Sequence, residues 1–577
     1  MKTLYKIFAF SLISLLWSCE LTLIPEDSVT PEVFFKTETE LDLWTNQFYT
    51  IFDSADGAAG QNADDNVDRA LGDVISGTRS AADESGWSWS RLRRINYFLE
   101  YSSNCDNDQV REHYEGVAYF FRAYFYFNMV RRYGDVPWYD QVIDSDNQEL
   151  LFKPRDDRGF VMDKVMEDLD RAISMLPATK NISKVTRWTA LAFKTRAALY
   201  EGTFRKYHGL GNAEKYLQQV VEAGAEFINN SGYSLYNTGN QPYRDLFNSN
   251  NAKPEEVILA RLYNFEDLSL SHGIQFNITN MQQGFTRRFM NHYLMADGSR
   301  FTSIEGYETM FFTQETQNRD PRMVQTVLCP GYIQTGETTV SPNSLLAMTG
   351  YQPIKFVGDA SHDGASKGTS DWPLFRSAEV YLNYAEAKAE LGTITQSDLD
   401  NSVNTIRQRA NMPVISLDQA NAQPDPFLLN AYPNVTNNQN TGIILEIRRE
   451  RTIEMVMEGH RQWDMFRWKE GAQIVNTPNP YYGCYIPGPG EYDMDLDGKK
   501  DLEIYIDEST TRLPNKKKIG SDIILSEGTY GYIMAWPAVT YTWNEDRDYL
   551  WPIPADQRVI TNGALSQNPG WEDSTNY

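Results

Sequence analysis

Residues 161–200 decide the fold and read VMDKVMEDLDRAISMLPATKNISKVTRWTALAFKTRAALY. In the first part of this stretch, apolar residues recur at spacings of three and four, at Val161, Val165, Leu169, Ala172 and Leu176. The same spacing returns at Trp188, Leu191, Thr195 and Ala198. This spacing places the apolar residues on one face of a helix. Pro177 and residues 181–183 have the composition of a turn. The sequence therefore predicts two helices joined as a hairpin.

A second candidate pair lies far downstream. Residues 377–391 read SAEVYLNYAEAKAEL, and Gly392 follows them. Their repeat is carried by Ala378, Tyr381, Ala385 and Lys388, and a partner helix is expected to start with Leu399, Val403 and Ile406. Helix pairs that stack on the next pair are typical of tetratricopeptide arrays. We therefore predict a mainly α fold, with tetratricopeptide-like helical hairpins as scaffold and long, partly irregular surface loops.

One further helix is predicted to be buried. Residues 111–132 read REHYEGVAYFFRAYFYFNMVRR, and the middle of this stretch is apolar on nearly every face. A helix that is apolar all round belongs in a core. We expect its aromatic side chains to be core residues rather than a ligand platform, and we expect residues 133–137 to end the helix.

Long stretches rich in Gly, Asn, Asp, Pro and aromatic residues separate the helices, mainly at 53–88, 229–371 and 471–544. Loops of this length inside a compact protein are usually functional. We therefore expect the binding function to lie on loops carried by a helical scaffold.

The N-terminus has the pattern of a secretory signal. Residues 1–6 carry two lysines, residues 7–17 are apolar apart from two serines, and Cys19 follows. The apolar run is shorter than the ~20 residues that a membrane-spanning helix needs. Cys19 stands where bacterial lipoproteins carry their lipidated cysteine, so we predict a lipid anchor there. Ordinary cleavage nearby is the alternative.

The charge balance excludes one class of partner. The chain has 78 acidic and 53 basic residues, which gives a formal net charge of −25. A field of this sign repels nucleic acid, so no nucleic-acid partner is expected. After Cys19, the three remaining cysteines are widely spaced and indicate neither a disulfide framework nor a zinc site.

Several motifs together resemble one family. Residues 450–468, ERTIEMVMEGHRQWDMFRW, resemble the signature helix of the SusD/RagB outer-membrane lipoproteins. Further matches occur in family order at 122–127, 133–137, 318–322, 376–380, 384–387, 406–410, 550–554 and 567–570. They cover nearly the whole mature chain.

The resemblance implies a nutrient-binding lipoprotein of the Bacteroidetes outer membrane. Such proteins cap a TonB-dependent, SusC-like transporter and deliver oligosaccharides, or sometimes peptides, to it. We accordingly divide the chain into a signal peptide (1–18), an N-terminal SusD-like half (19–240) and a C-terminal half (241–577) packed with the first as one body. The expected location is the outer membrane, lipid-anchored and facing the cell exterior.

An acidic row in the signature helix allows two interpretations. Glu450, Glu454 and Glu458 lie four residues apart and would repel one another on an isolated helix. Two carboxylates are also what a glycosidase uses. Arginines at 451, 461 and 467 favour a paired charge network instead. No metal-ligand spacing of histidines and no nucleophile motif occurs, so we predict a binding protein rather than an enzyme, with a surface glycoside hydrolase as the alternative.

One loop has the composition of a calcium site. Residues 493–501 read DMDLDGKKD, in which alternating aspartates precede a glycine. Carboxylates at this spacing converge on a hard cation. The glutamate of an EF-hand is absent from the twelfth position, where Ile504 stands. We predict structural calcium held by Asp493, Asp495, Asp497, Lys499 and Asp501, with an acidic solvated turn as the alternative.

Ligand contact is predicted from residues 77–89, GTRSAADESGWSW. A sugar site needs aromatic faces beside polar groups, and this segment offers both at Arg79, Asp83, Trp87 and Trp89. Trp89 has the alternative of starting the next helix as a core residue. Phe285 and Tyr332 are further candidates in the middle loops.

Overall fold

The computed structural model describes residues 34–264, 270–435, 438–475 and 481–572. The predicted lipidation site, Cys19, lies outside these residues. No helix within them is long and apolar enough to cross a membrane. Cys105, Cys329 and Cys484 are buried free thiols.

Helices dominate the described chain. Those of seven residues or more are α1 (Glu38–Asn46), α2 (Ser90–Tyr101), α3 (Asp108–Tyr133), α4 (Arg158–Met175), α5 (Arg187–His208), α6 (Ala213–Asn230), α7 (Ile274–Asn280), α8 (Ser377–Glu390), α9 (Val403–Arg409), α10 (Thr441–Glu454) and α11 (Arg461–Arg467). Shorter helices are Ala55–Ala59, Asp73–Ser76, Gln148–Leu151, Arg287–Met290, Phe312–Glu315, Met323–Thr326, Gln396–Asp400, Leu417–Ala422, Pro426–Ala431, Ala472–Val475 and Ala555–Ile560.

The predicted hairpin is formed by α4 and α5. Asp157 and Thr186 cap their N-termini, because each side chain accepts hydrogen bonds from the first turn. Gly209 ends α5 in the left-handed conformation, with φ of 70°. The mainly α, hairpin-based fold is therefore confirmed.

The long helices stack in a row. Helix α3 packs on α4, α4 on α5, α5 on α6, α6 on α8 and α8 on α10. A Cβ atom added at Gly202 of α5 would lie 2.8 Å from Leu217 of α6, so the glycine is needed for this close approach. Helix α3 forms the centre of the main core, where Phe120, Phe121 and Tyr126 are fully buried. The prediction that the aromatic run is core is confirmed for these three residues.

The second predicted pair differs from expectation. Helix α8 is present, but its proposed partner is two short helices, Gln396–Asp400 and α9. Helix α8 packs more extensively on α6 and α10, whose longer apolar faces cover it. Its small residues therefore serve a stack of helices rather than a local hairpin.

The signature segment is also not one helix. Helix α10 ends at Glu454, and α11 begins at Arg461. Between them, Met457 and Gly459 adopt left-handed backbone conformations, with φ of 61° and 77°. The chain therefore turns sharply after Glu454, and Glu458 leaves the helix on which it was expected.

Short strands tie the loops to the scaffold. They are β1 (Asn66–Val67), β2 (Val257–Arg261), β3 (Gly284–Phe285), β4 (Trp372–Arg376), β5 (Tyr482–Ile486), β6 (Gly490–Tyr492), β7 (Leu502–Tyr505), β8 (Asn515–Lys518) and β9 (Gly531–Met534). Antiparallel pairs are β1–β3, β2–β4 and β5–β9, while β7 pairs antiparallel with β6 and parallel with β8. A second core, which includes Phe285, Phe312 and Ile504, lies beneath these loops.

Candidate functional site

A large open cavity lies where the loops meet helix α3. Its volume is about 720 Å³. The lining comes from residues 51–61, residues 85–91, one face of α3, Arg196 of α5, the start of β4 and residues 458–463. The cavity therefore joins segments that are distant in the sequence.

Helix α3 forms the floor of the cavity. Tyr124, Asn128, Arg131 and Arg132 all line it. Spacings of three, four and seven place these residues on one helical face. The Oδ1 atom of Asn128 is buried without a hydrogen-bond partner. The floor thus presents the phenol ring of Tyr124, the amide of Asn128 and the two guanidinium groups of Arg131 and Arg132.

Trp463 supplies an aromatic wall. It lies on α11, lines the cavity and is only half-buried. The Arg131 Cζ atom is 4.2 Å from the centroid of its ring. An aromatic face beside polar groups is the combination that the CH faces and hydroxyls of a sugar require.

The arginines of the cavity are neutralised to different degrees. Arg132 Nη2 contacts Glu84 at 2.9 Å, and Arg196 Nη2 contacts Glu379 at 2.6 Å. Arg131 has Asp53 as its partner at 3.9 Å. Burial lowers the pKa of the Arg131 guanidinium, and Asp53 only partly opposes that effect. Arg131 is therefore the least compensated of the three.

Two titratable groups of the cavity, Glu458 and His460, have lowered pKa values. Burial raises the pKa of Glu458 by itself, but Arg376 and Lys355 outweigh burial and hold it below its usual value. Burial lowers the pKa of His460 well below its usual value, with a further contribution from Arg196. A general acid needs a raised pKa, so neither group is prepared to act as the general acid of a glycosidase.

The segment predicted to contact the ligand is largely structural. Trp87 is 8% exposed and packs edge-on against Tyr133, with the ring centroids 4.9 Å apart. Arg79 Nη2 lies 3.2 Å from Asp548, and both side chains are buried. The exposure predicted for these two side chains is wrong, because each packs against a partner from a remote part of the chain.

The other two residues of that segment also lie away from the main cavity. Asp83 is exposed, and its carboxylate accepts a hydrogen bond from the nearby Ser80 hydroxyl at 2.5 Å. Trp89 immediately precedes α2, as the alternative interpretation expected, but it is half-buried against Tyr139 rather than fully in the core. With Trp87 it lines a separate, mainly apolar cleft of about 450 Å³. Residues 85, 86, 88, 90 and 91 line the main cavity instead.

The two candidates in the middle loops are not brought to the cavity. Phe285 is fully buried in β3, opposite Asn66 of β1, and so is core. Tyr332 is half-buried, and its hydroxyl accepts a hydrogen bond from Arg244 Nη2 at 3.1 Å. The sequence predicted that both residues lie in loops, but nothing near them in the sequence predicts that Asn66 and Arg244 are their neighbours.

The acidic row of the signature segment is a paired network. Glu454 contacts Arg376 at 2.7 Å and also Arg322 and Arg409. Glu450 contacts Arg322, and the side chains of the network are nearly all inaccessible. The expected network is present, but its cations come from distant segments. The arginines that were expected to supply it pair elsewhere: Arg451 with Asp464, Arg461 with Asp64 and Arg467 with Glu386.

Three of the predicted calcium ligands converge. One carboxylate oxygen each from Asp493, Asp495 and Asp501 lies within 4.8 Å of the others. The Oδ1 atoms of Asp493 and Asp501 are buried without a hydrogen-bond partner. Burial and the two neighbouring aspartates raise the pKa of Asp501. This donor set fits a hard cation. The Asp497 carboxylate instead contacts Lys499 Nζ at 3.1 Å.

The chain matches two family models. The SusD/RagB model, described as the SusD family, matches residues 201–571. The chain belongs to the SusD family. A second model, described as starch-binding associating with outer membrane, matches residues 84–199. The family predicted from the motifs is therefore confirmed.

Individual SusD-like proteins have low sequence identity to this chain. SusD-like protein P38 of Formosa agariphila is 24% identical over 503 residues, covering 80% of this chain and 90% of that protein. A crystal structure of a SusD-like protein from Bacteroides fragilis is 23% identical, with a TM-score of 0.69 over 93% of this chain and 98% of the other. A SusD-like carbohydrate binding protein from the same species is 18% identical, with a TM-score of 0.67 over 91% and 99%. These likenesses establish a shared SusD-like fold.

Sequence reasoning missed the principal residues of the cavity in this SusD-family chain. Arg131 and Asn128 belong to the helix that was assigned to the core, and Trp463 belongs to the signature segment. One signal was available. Two adjacent arginines, Arg131 and Arg132, follow the apolar middle of α3 in its last turn, and such charges need either a partner or solvent.

Proposed function

We propose that this protein captures an oligosaccharide in the cavity between Arg131 and Trp463. The observation that carries the proposal is the aromatic face beside buried but incompletely paired polar groups in an open cavity. Membership of the SusD family supports it, as does the carbohydrate-binding description given to a relative of the same fold.

The test is calorimetry of the purified full-length lipoprotein in detergent, with a panel of oligosaccharides and a panel of peptides. Binding of an oligosaccharide that is recovered intact after incubation supports the proposal. Binding of peptides alone favours the peptide-binding alternative. Release of shorter sugars identifies a hydrolase, which would contradict the binding-only role.

We further propose that the protein is anchored in the outer membrane through Cys19 and faces the exterior. The N-terminal pattern and the family model's association with outer membrane support this. Cys19→Ala should release the protein from the outer-membrane fraction. Protease treatment of intact cells should cleave the wild type, and complete protection would count against surface exposure.

A SusC-like, TonB-dependent transporter is the proposed recipient of the ligand. The support is the resemblance of the motifs to lipoproteins that cap such a barrel. Mild-detergent purification from native membranes should recover both proteins in a stable complex with a large interface. Recovery of this protein only as a monomer would contradict delivery of the ligand to the transporter, but it would not contradict ligand capture.

Calcium at residues 493–501 is proposed as a structural ion. Asp493, Asp495 and Asp501 would hold it, and its charge would stabilise three clustered carboxylates that otherwise repel one another. The loop connects β6 to β7, so the ion would fasten this small sheet.

A further inference from the structure

The charges that line the cavity do not balance. Glu458 is already shared by Lys355 and Arg376, while Arg132 and Arg196 each have their own glutamate. Arg131 and Arg91 remain, with Asp53 as the one further lining carboxylate among the described residues. Arg91 is exposed, and its side chain has no ion-pair partner within the described part of the chain. The cavity therefore carries a local excess of positive charge.

Helix α2 adds to this excess. Its first two residues, Ser90 and Arg91, line the cavity, and no side chain caps its N-terminus. The first N–H groups of a helix lack partners within the helix and carry about half a positive charge. In this twelve-residue helix they favour an anion at the same wall that bears Arg91.

The acidic surface of the protein does not cancel the local field. The chain carries a formal net charge of −25, but exposed charges are largely screened beyond about 8 Å at physiological ionic strength. A small anionic substituent inside the cavity interacts mainly with the groups that line it. A long polyanion such as nucleic acid would contact the acidic surface as well.

We propose that the cavity is selective for an oligosaccharide bearing an anionic substituent, either a uronate carboxylate or a sulfate ester, held by Arg131, Arg91 and the N-terminus of α2 against the face of Trp463. The inference rests on the proposed function and specifies the chemical class of the ligand. Arg131 pairs with Asp53 only at 3.9 Å. A bound anion would give this half-buried guanidinium a closer partner, and charge-assisted hydrogen bonds are the stronger kind.

The test uses ligand pairs that differ only in charge. Oligogalacturonate is compared with its methyl ester, and κ-carrageenan oligosaccharide with its desulfated form, by calorimetry on the full-length protein. We expect one charged form to bind at least tenfold more tightly than its neutral counterpart, with a preference that shrinks as salt is added. The pair that shows the preference identifies the substituent as carboxylate or sulfate.

Two variants and a matched control connect the preference to the residues. Arg131→Gln and Arg91→Gln should each reduce affinity for the charged form about tenfold or more, while changing affinity for the neutral form less than about threefold. Arg94→Gln makes the same change on an exposed residue of α2 outside the cavity and should alter neither affinity. Because Arg91 is exposed, its variant remains informative even if Arg131→Gln fails to fold.

Two results would overturn the inference. Equal binding of charged and neutral forms would reject charge selectivity while leaving oligosaccharide capture intact. Absence of binding both to these probes and to the whole oligosaccharide panel, in a folded protein, would reject the selectivity and the proposed function together.

Discussion

The Arg131 guanidinium lies 4.2 Å from the centroid of the Trp463 ring, so a cation from α3 and an aromatic face from α11 form one surface. These residues are 332 positions apart by their numbers in the chain (463 − 131). Cation–π contacts of this kind contribute about 0.5–2 kcal/mol, depending on how far they are desolvated. Both residues line the cavity, so the contact joins α3 to α11 in the cavity wall.

Trp463→Ala should weaken oligosaccharide binding. Truncating an aromatic anchor costs about 2 kcal/mol or more, which corresponds to roughly a thirtyfold loss of affinity. Calorimetry measures the loss, and a thermal melt checks the fold, since Trp463 also packs on Phe466. Tyr530→Ala, an exposed aromatic outside the cavity, is the control. Unchanged affinity in the Trp463 variant would place the site elsewhere.

Arg79→Ala should destabilise the fold without acting on ligand contact. The variant removes one of the two arginines that contact the buried Asp548, which keeps Arg547 at 2.7 Å, and the loss of a hydrogen bond to a charged group costs about 1.5–3 kcal/mol. It also removes the stacking of Arg79 over Trp551, at 4.7 Å from the ring centroid. Chemical unfolding measures the effect, with Arg94→Ala as an exposed control. A variant with normal stability but weaker oligosaccharide binding would show that Arg79 contacts the ligand.

Acidification should destabilise the protein through Glu386. Burial alone would raise the pKa of this carboxyl, but Arg467 and other arginines outweigh burial and lower it from 4.5 to about 2. A carboxyl whose pKa is lower in the folded state stabilises the fold above its unfolded pKa. That contribution, roughly 3 kcal/mol, is lost as the pH falls from about 4.5 towards 2.

The measurement is the free energy of unfolding as a function of pH. Glu386→Gln should lower stability at neutral pH and flatten the curve below pH 4.5. Glu305→Gln removes an exposed carboxylate and should leave the curve as in the wild type. If Glu386→Gln retains the full acid dependence, other carboxylates are responsible for it.

Chelation should lower the melting temperature if calcium occupies the loop at 493–501. Binding to the folded state stabilises it by about 2.7 kcal/mol at a hundredfold excess over Kd. Asp501→Asn should abolish the effect of a chelator, because it alters one of the three converging carboxylates. Asp497→Asn is the matched control, since that carboxylate contacts Lys499 instead. If the melting temperature of the wild type changes with neither calcium nor chelator, a structural ion at this loop is rejected.

Most of the fold could be predicted from the helical periodicity of apolar residues. Helices α3, α4, α5 and α8 were predictable because their apolar spacing is local in the sequence. The break after Glu454 was not, since residues 450–458 retain helical composition while Met457 and Gly459 adopt left-handed conformations. There the tertiary contacts of Glu458 with Lys355 and Arg376 prevail over local propensity.

The site was harder to predict, because each decisive partner is remote. Trp87 has small and polar neighbours in sequence, which suggested exposure, yet Tyr133 covers it in space. Arg79 pairs with Asp548, which is too far away in the sequence for the pairing to be predicted from local pattern. Pairings across such separations leave no periodic signal, so the motifs identified the family but not the cavity.

The left-handed turn between α10 and α11 has a consequence for the dynamics of recognition. It joins the network around Glu454 directly to the segment that carries His460 and Trp463. One wall of the cavity is thus held by multiple buried ion pairs before any ligand arrives. Ordering a side chain on binding costs about 0.5–1.5 kcal/mol each, and this wall is spared that cost. We therefore expect the wall to behave as a rigid template, with the conformational adjustment to each ligand confined to the loop residues opposite it.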